Sequence, residues 1–263
     1  RGVSATRNAC LDHATADYVM FCDCDDLFCN VCGLWIIFRE MEKGFDSLVS
    51  NFVEETRDPK DRTEVVYINR EMDTTFVHGK VHRRQYLLDK EIRWNDSLTI
   101  HEDSYFNILC QNLSKDVKYC PTPFYLWKWR DDSVCRHDPK YILRTYNNML
   151  DSNTALVHEF MRRGMHDKAT FYTVFMIFDA YYTMNKEEWL NQENQKFRSD
   201  VEERFSLYFK EFKSMWDNTP INDKMIMSNR VRTRTIEEGM RMETITIDEW
   251  LKKIQKLALK KKK

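Results

Sequence analysis

The sequence predicts an α/β sheet domain over residues 1–139, followed by a mainly helical region over residues 140–263. In the first part, short apolar runs typical of strands alternate with segments whose apolar residues have helical spacing. After residue 140, Pro and Gly nearly vanish. The whole chain has only six Gly and five Pro among its 263 residues, which disfavours an all-β or disordered protein. We therefore expect a sheet covered by helices on both faces, with a helical region appended to it.

The elements of the first part follow from this spacing and from the turn residues between them. Helices are predicted at Ala5–Ala16, Val31–Lys43, Gln85–Lys90 and Glu102–Asn112. Strands are predicted at Asp17–Cys22, Phe45–Phe52, Glu64–Asn69 and Ile92–Trp94, and Val117–Trp129 is predicted to be extended. A turn at residues 58–61 separates the second strand from the third.

The second part is predicted to pack through apolar helix faces. Five residues recur at the spacing of one helix face: Val201, Phe205, Tyr208, Phe212 and Trp216. We expect this stripe to face a core rather than a ligand. A last helix is predicted to begin after Thr246 or Asp248 as its N-cap residue and to reach Leu259.

Charge and hydropathy exclude several classes of protein. The chain has 41 Lys and Arg against 42 Asp and Glu, and this net charge of −1 excludes a globally basic nucleic-acid binder, although not a local basic patch. The longest apolar run, Phe171–Tyr182, is too short to cross a bilayer and contains Asp179. No signal peptide is recognised, so we expect a cytoplasmic protein.

Four of the eight cysteines crowd into eleven residues: Cys22, Cys24, Cys29 and Cys32. They could form a zinc knuckle, but no second pair of ligands follows at the spacing of a zinc finger. We favour reduced thiols that pack as small hydrophobic side chains in a cytosolic protein.

Three carboxylates, those of Asp23, Asp25 and Asp26, directly follow a predicted apolar strand. Such a group is unfavourable unless a cation neutralises it, and ligands of open α/β sheets bind at the carboxyl ends of strands. Oxygen ligands at i and i+2 can share Mg²⁺ or Mn²⁺, with waters and a diphosphate completing the shell. The alternative is a solvated acidic turn in which Asp26 caps the following helix.

A second pair of carboxylates, Glu102 and Asp103, opens a predicted helix. Acidic residues in a first turn favour the helix dipole, which is a purely structural explanation. The functional alternative is that one of them is the general base for an acceptor hydroxyl, in a site where a metal-bound diphosphate fixes the electrophile.

Four motifs of the first part occur in an order that resembles the family 2 glycosyltransferases. They are Gly2-x-Ser4-x-x-Arg7-Asn8 with Tyr18–Asp26, His78-Gly79-Lys80-Val81-His82-Arg83-Arg84, His101-Glu102-Asp103-Ser104-x-Phe106, and Pro123-x-Tyr125-x-Trp127-x-x-Arg130. The resemblance covers residues 2–137. It implies a GT-A-like mixed sheet flanked by helices, and an inverting transfer of a sugar from a nucleotide-diphosphate donor.

The resemblance also implies roles for the acidic residues. Asp103 would be the general base and Glu102 would orient the acceptor or the sugar. Asp25 and Asp26 would hold Mn²⁺ or Mg²⁺, which offsets the charge that grows on the departing diphosphate. The expected donor is a UDP-sugar, and the expected acceptor is a hydroxyl of a glycan, a lipid-linked molecule or another compound.

Residues of the other motifs would complete the donor site by the same resemblance. Arg7 and Asp23 would reach the donor, and Lys80 would add positive charge at its diphosphate, although an exposed strand lysine is equally expected. Trp127 offers a surface on which a sugar stacks, with a core aromatic as the alternative. Arg136 and His137 lie where the family often has a loop that closes on the diphosphate, with His137 as a further metal ligand.

The family's first strand, with its P-x-(Y/F)-N motif, and the βα units that hold the nucleotide base have no counterpart in this sequence, which begins at Arg1 without Met. We expect that a missing N-terminal segment or a second chain completes the nucleotide pocket and covers an exposed sheet edge. The main alternative to an enzyme is a non-catalytic glycosyltransferase-like assembly or binding subunit. A weaker alternative is a phosphate-ester hydrolase whose aspartates hold two metals.

The chain ends in a lysine-rich segment: Lys252, Lys253, Lys256 and Lys260–Lys263. It follows the predicted last helix and would suit contact with an anionic membrane surface, at the inner face of a membrane where lipid-linked acceptors lie. Nucleic-acid contact and a solvated tail are the alternatives.

Overall fold

The computed structural model describes residues 2–58, 60–131, 133, 140–237 and 245–260. The chain divides into two compact units, residues 1–138 and 139–263. The first unit contains two mixed sheets with helices, and the described elements of the second unit are helices. The predicted fold class, a mixed α/β region followed by a helical region, is confirmed.

The elements of the first unit are short. Its strands are β1 (Tyr18–Met20), β2 (Leu27–Phe28), β3 (Ser47–Ser50), β4 (Phe52–Arg57), β5 (Val65–Arg70), β6 (Lys80–Arg83), β7 (Val117–Cys120) and β8 (Tyr125–Trp127). Its helices are α1 (Val3–His13), α2 (Val31–Lys43), α3 (Arg84–Asp89) and α4 (Glu102–Leu113).

The first sheet has the strand order β1-β6-β3-β7. Strand β6 is antiparallel to both β1 and β3, whereas β3 and β7 are parallel. Strands β1, β3 and β7 therefore end at the same edge of the sheet, and β6 begins there. This orientation brings the segment before Lys80 to the edge where the acidic residues after β1 lie.

The second sheet has the order β2-β8-β4-β5, and one predicted strand is divided between the two sheets. The run Phe45–Phe52 was expected to form a single strand, but β3 ends at Ser50 and β4 begins at Phe52 in the other sheet. Asn51 stabilises the segment where the chain passes from one sheet to the other. Its N–H donates to the Cys120 carbonyl at 3.0 Å, and its side-chain oxygen accepts the Met72 N–H at 3.1 Å.

The prediction of a strand at Ile92–Trp94 is wrong. These residues pair with no strand among the described residues, and the Asn8 side chain replaces a β-partner. It accepts the Trp94 N–H at 2.9 Å and donates to the Trp94 carbonyl at 2.9 Å. The Trp94 ring stacks on Phe106 with the centroids 4.1 Å apart. The apolar residues of this segment therefore reflect its burial in the core and not a place in a sheet.

The core of the first unit lies where the two sheets and α2 meet. Its fully buried members include Ile37, Leu48, Phe52, Val81 and Tyr125. Each such side chain contributes about 1.5–3 kcal/mol by leaving water. The core therefore fixes the strand ends from which the polar site residues project.

The described part of the second unit contains six helices and one short 3-10 helix. The bounds are α5 (Tyr141–Arg162), α6 (His166–Met184), α7 (Glu187–Leu190), the 3-10 helix Gln192–Asn194, α8 (Gln195–Asn218), α9 (Ile221–Glu237) and α10 (Ile247–Lys260). The predicted stripe of five apolar residues lies on α8 and is buried throughout, which confirms its core-facing role. Among the residues that the structure describes, no helix is both long and apolar enough to span a bilayer.

Candidate active site

The candidate site lies at the edge of the first sheet where β1 ends. Asp23 and Asp26 follow β1, and Val77 and His78 precede the antiparallel strand β6, so opposite strand directions bring two distant segments together. The first turn of α4 comes to the same place, because Asp103 Oδ2 accepts the Val77 N–H at 3.2 Å.

Arg7 joins the two acidic motifs. It lies on the buried face of α1, where its Nη2 donates to Asp23 Oδ1 at 2.8 Å and its Nη1 donates to Asp103 Oδ1 at 2.6 Å. Its Nη1 is also 3.5 Å from Glu102 Oε1, and its guanidinium lies 4.6 Å from the centre of the Trp94 ring. Burial lowers the pKa of Arg7, but the three carboxylates raise this pKa by more than burial lowers it. The net shift is upward, so the guanidinium group stays charged. One cation thus holds three carboxylates within reach of each other.

Glu102 and Asp103 are both easier to protonate than ordinary carboxyl groups. Burial raises the pKa of Glu102 to about 7, and the neighbouring Asp103 adds to this shift. Burial also raises the pKa of Asp103, although the charge of Arg7 opposes it. The residue before the pair, His101, has a left-handed backbone with φ of 64°. A carboxyl group with a pKa near 7 has the proton affinity that general base catalysis needs at neutral pH.

Asp26 is buried and belongs to a group that could hold a cation. Its Oδ2 accepts the Tyr125 hydroxyl at 2.6 Å and its Oδ1 accepts the Lys128 N–H at 2.9 Å. Burial raises the pKa of Asp26. Ligand atoms of Asp23, Asp26 and His78 lie within 4.8 Å of one another. Two carboxylates and an imidazole form a donor set that suits Mn²⁺.

Asp25, which was expected to hold the metal, is not in this group. Its Oδ2 accepts Arg130 Nη1 at 2.5 Å, and its side chain points to that exposed ion pair. The other expected ligand, His137, and the expected diphosphate contact, Arg136, lie outside the described residues.

Lys80 is buried, so the expectation of an exposed strand lysine is wrong. Its Nζ donates to the His78 carbonyl at 3.0 Å and lies 5.6 Å from the centre of the Phe52 ring. Burial lowers the pKa of Lys80 to about 8, against the attraction of Asp73 and Asp103. The group keeps its charge at neutral pH.

Trp127 belongs to an aromatic cluster that includes His78 and Tyr125, both of which lie next to Asp26. Its ring centre lies 4.9 Å from that of Phe76 and 5.0 Å from that of His78. His78 also stacks on Tyr125, with centroids 4.8 Å apart. Trp127 is half-buried in these contacts, so much of its ring surface is committed to packing.

The sequence analysis missed three residues that shape the site. His78 and Tyr125 were quoted within motifs but given no role, and Trp94 was assigned to a strand. Their signal is weak, because His78 and Tyr125 meet Asp26 through the long-range pairing of β1 with β6 and of β2 with β8. Trp94 meets Arg7 because its backbone is held by Asn8 of the same helix.

Among the described residues, the favoured prediction of packed thiols is wrong for the four clustered cysteines, and the alternative of a zinc knuckle has no group of ligands. Cys22, Cys24, Cys29 and Cys32 are free and exposed, and none belongs to a group of potential metal ligands. Exposure also means that they do not pack as small hydrophobic side chains.

Comparison with known proteins identifies the fold. No family model and no curated protein matches the sequence. S. aureus TarS matches with a TM-score of 0.53 and 12% identity, over 90% of this chain and 41% of the TarS chain. S. aureus TarS 1-349 in complex with UDP-GlcNAc matches with a TM-score of 0.51 and 13% identity, over 88% of this chain and 72% of that one. The chain thus spans less than half of the longer TarS chain, and it has a fold similar to that of S. aureus TarS.

Proposed function

We propose that this chain is the catalytic region of a glycosyltransferase that moves a sugar from a UDP-sugar to an acceptor hydroxyl. The observation that carries the proposal is the convergence of Asp23 with Glu102 and Asp103 around Arg7. The fold shared with TarS, which was solved in complex with UDP-GlcNAc, supports a nucleotide-sugar donor.

In this proposal Asp103 takes the proton of the acceptor hydroxyl. Arg7 and the Val77 N–H each hold one oxygen of its carboxylate, which leaves a lone pair on each oxygen for the hydroxyl. Glu102 orients the acceptor or the sugar, and the nearby charge of Asp103 helps to raise its pKa. The acceptor oxygen then displaces the diphosphate in line at the anomeric carbon, with inversion.

Asp23 and Lys80 face the donor in this proposal. Lys80 supplies positive charge near the diphosphate, and Asp23 lies at the strand end where nucleotides bind in open α/β sheets. Asp23 and Asp26, with His78 as a nitrogen ligand, would hold Mn²⁺ or Mg²⁺. Such a cation would offset the charge that develops on the departing diphosphate.

The thermal stability of the intact protein with Mn²⁺ and UDP-GlcNAc tests donor binding. At a ligand concentration of about one hundred times Kd, binding adds about 2.7 kcal/mol to the free energy of unfolding, so Tm rises. Asp23→Asn should abolish this rise. The matched control is Asp17→Asn, because Asp17 is exposed at the other end of β1. An equal rise in Tm for Asp23→Asn and the wild type would contradict the donor assignment.

A non-catalytic binding subunit is the second candidate, and one observation favours it. Asp23 and Asp25 are each paired with an arginine, as expected of acidic residues that serve structure alone. A subunit whose acidic residues serve structure alone would not be stabilised by Mn²⁺ with UDP-GlcNAc, so the same Tm measurement separates the two functions.

The remaining partners are proposals as well. Strand β1 is an edge strand of the first sheet as described, so a preceding segment or a second chain can add a strand there and complete the nucleotide pocket. The acceptor is a glycan, a lipid-linked molecule or another hydroxyl compound, and contact of the lysine-rich end with an anionic membrane surface stays a prediction.

A further inference from the structure

A separate pocket lies at the turn of the β4–β5 hairpin. It has a volume of about 250 Å³ and is lined by Arg57, Arg62, Thr63, Trp129 and Asp131. None of the residues of the candidate active site lines it. This volume is slightly below the roughly 300–1,000 Å³ of pockets for drug-sized ligands, so it suits one small polar unit.

The two arginines of the pocket carry unneutralised charge. Neither Arg57 nor Arg62 makes an ion pair or a side-chain hydrogen bond with the part of the chain that the structure describes. The acids of the same turn are used within it. Asp58 Oδ1 accepts the Lys60 N–H at 2.6 Å, and Asp61 Oδ1 accepts the Thr63 N–H at 2.9 Å. Two arginines that line one pocket, neither of them paired with a carboxylate, suit an oxyanion.

Trp129 and Asp131 give the same pocket the features of a carbohydrate site. The indole Nε1 of Trp129 donates to Asp131 Oδ1 at 3.0 Å, which fixes the orientation of the ring. A fixed ring offers an apolar face to the C–H side of a sugar, and Asp131 Oδ2 can accept a sugar hydroxyl. With Asp131 counted, the pocket retains a net charge of +1.

One short segment joins this pocket to the candidate active site. The Lys128 N–H donates to Asp26, and Arg130 donates to Asp25. The alternate residues, Trp129 and Asp131, line the pocket. The pocket and the acidic cluster therefore lie next to each other, on either side of residues 128–131.

We propose that this pocket binds a carbohydrate that carries a phosphate or a carboxylate, with the oxyanion on Arg57 and Arg62 and the sugar ring on Trp129. Its assignment to the acceptor rests on the proposed function, since the donor is held at Asp23. The class of acceptor that follows is an anionic sugar or a chain of such units.

Ligand-observed NMR titrations of the intact protein with glucose 6-phosphate, glucuronate and glucose test the proposal. The two acidic sugars should bind at least about tenfold more tightly than glucose, because each adds hydrogen bonds between charged groups. R57Q/R62Q should reduce their affinity to that of glucose, and K60Q, which alters a basic residue of the same turn outside the pocket, should not. Trp129→Ala should weaken all three sugars, and an unchanged Tm should verify that each variant is folded.

Equal affinity for glucose and the acidic sugars would overturn the proposal, as would an equal loss for K60Q and R57Q/R62Q. UDP-GlcNAc binding, measured in parallel, distinguishes the roles. If UDP-GlcNAc displaces glucose 6-phosphate, the pocket belongs to the donor and the acceptor assignment is wrong. If the acidic sugars bind as expected and UDP-GlcNAc does not bind at all, the proposed function fails while the anionic carbohydrate site stands.

Discussion

At the scale of single residues, the site depends on one buried guanidinium group, that of Arg7. Arg7 is only 7% exposed, because it lies on the buried face of α1. Its guanidinium group contacts three carboxylates and the Trp94 ring. Charges in such surroundings are stable only when they are paired, and removal of one partner leaves the others uncompensated. Arg7 therefore holds the acidic residues of the site together, and its expected contact with the donor stays a prediction.

Replacement of Arg7 by Gln should destabilise the protein by about 3–5 kcal/mol at pH 7, because Asp23, Glu102 and Asp103 then repel each other in a buried place. The loss should shrink as the pH falls, because Glu102 and Asp103, whose pKa values are raised by burial, become protonated. Urea unfolding at pH 7 and pH 4 measures both effects. Arg93→Gln is the control, because Arg93 pairs with Asp12 at the surface and its loss should cost at most about 1 kcal/mol. Equal losses for the two variants would contradict the account of Arg7.

Replacement of Glu102 by Gln should stabilise the protein at neutral pH. The folded-state pKa of Glu102 is raised to about 7 from its ordinary value of 4.5, so the folded state binds its proton more tightly than the unfolded state does. Wild-type stability therefore falls as the pH rises from about 4.5 to 7, and E102Q lacks this loss.

The advantage of E102Q should be absent below about pH 4.5 and should reach on the order of 2–3 kcal/mol above pH 7. Urea unfolding across this pH range measures it. Should E102Q have the same stability advantage at pH 4 and pH 8, the raised pKa of Glu102 would be wrong.

At the scale of elements, the direction of β6 positions the site. Its motif was visible in the sequence, but no local pattern states that β6 runs antiparallel between β1 and β3. The burial of Lys80 and the meeting of His78 with Asp26 follow from that direction. Features fixed by long-range pairing are therefore the ones that sequence analysis could not supply.

Elements with a strong local signal were predicted well. Helix α2 has the predicted bounds, and α10 begins after Thr246, whose hydroxyl accepts the Glu249 N–H while Glu249 accepts the Thr246 N–H. The apolar face of α10 proved to be buried in its own unit, with the Trp250 ring 5.0 Å from that of Phe205. Any membrane contact of α10 would therefore involve its exposed lysines rather than insertion of this face.

Gly33 allows α2 to pack closely on the segment before β8. A Cβ atom at this position would lie 2.6 Å from the Pro123 carbonyl oxygen and 3.0 Å from Phe124 Cβ. Gly33→Ala should therefore destabilise the protein by about 1–3 kcal/mol, although alanine favours the helix by up to about 1 kcal/mol. Gly2→Ala is the control, since nothing lies within 4 Å of its added Cβ. If urea unfolding gives the two variants the same stability, the close approach at Gly33 does not exist.

At the scale of the whole molecule, two compact units share one chain, and the proposed chemistry belongs to the first. The fold class and the acidic motifs were predicted from sequence, because periodicity and motif order are local properties. Of the two expected metal ligands among the described residues, Asp26 belongs to the group of potential ligands and Asp25 does not. The meeting of Arg57 and Arg62 with Trp129 in one pocket was not predicted, because these residues come from a hairpin turn and from the segment after β8.

The release of UDP from UDP-GlcNAc by the intact protein with Mn²⁺ tests the central claim most directly, when UDP binding is measured in parallel. Wild-type protein should release UDP, at a rate that falls as the pH is lowered, because burial raises the pKa of Asp103 and favours its protonated form. Asp103→Asn should bind UDP as the wild type does but release it at least about one hundred times more slowly, because the proton acceptor is lost. Undiminished release by Asp103→Asn would contradict the claim that this carboxylate is the base.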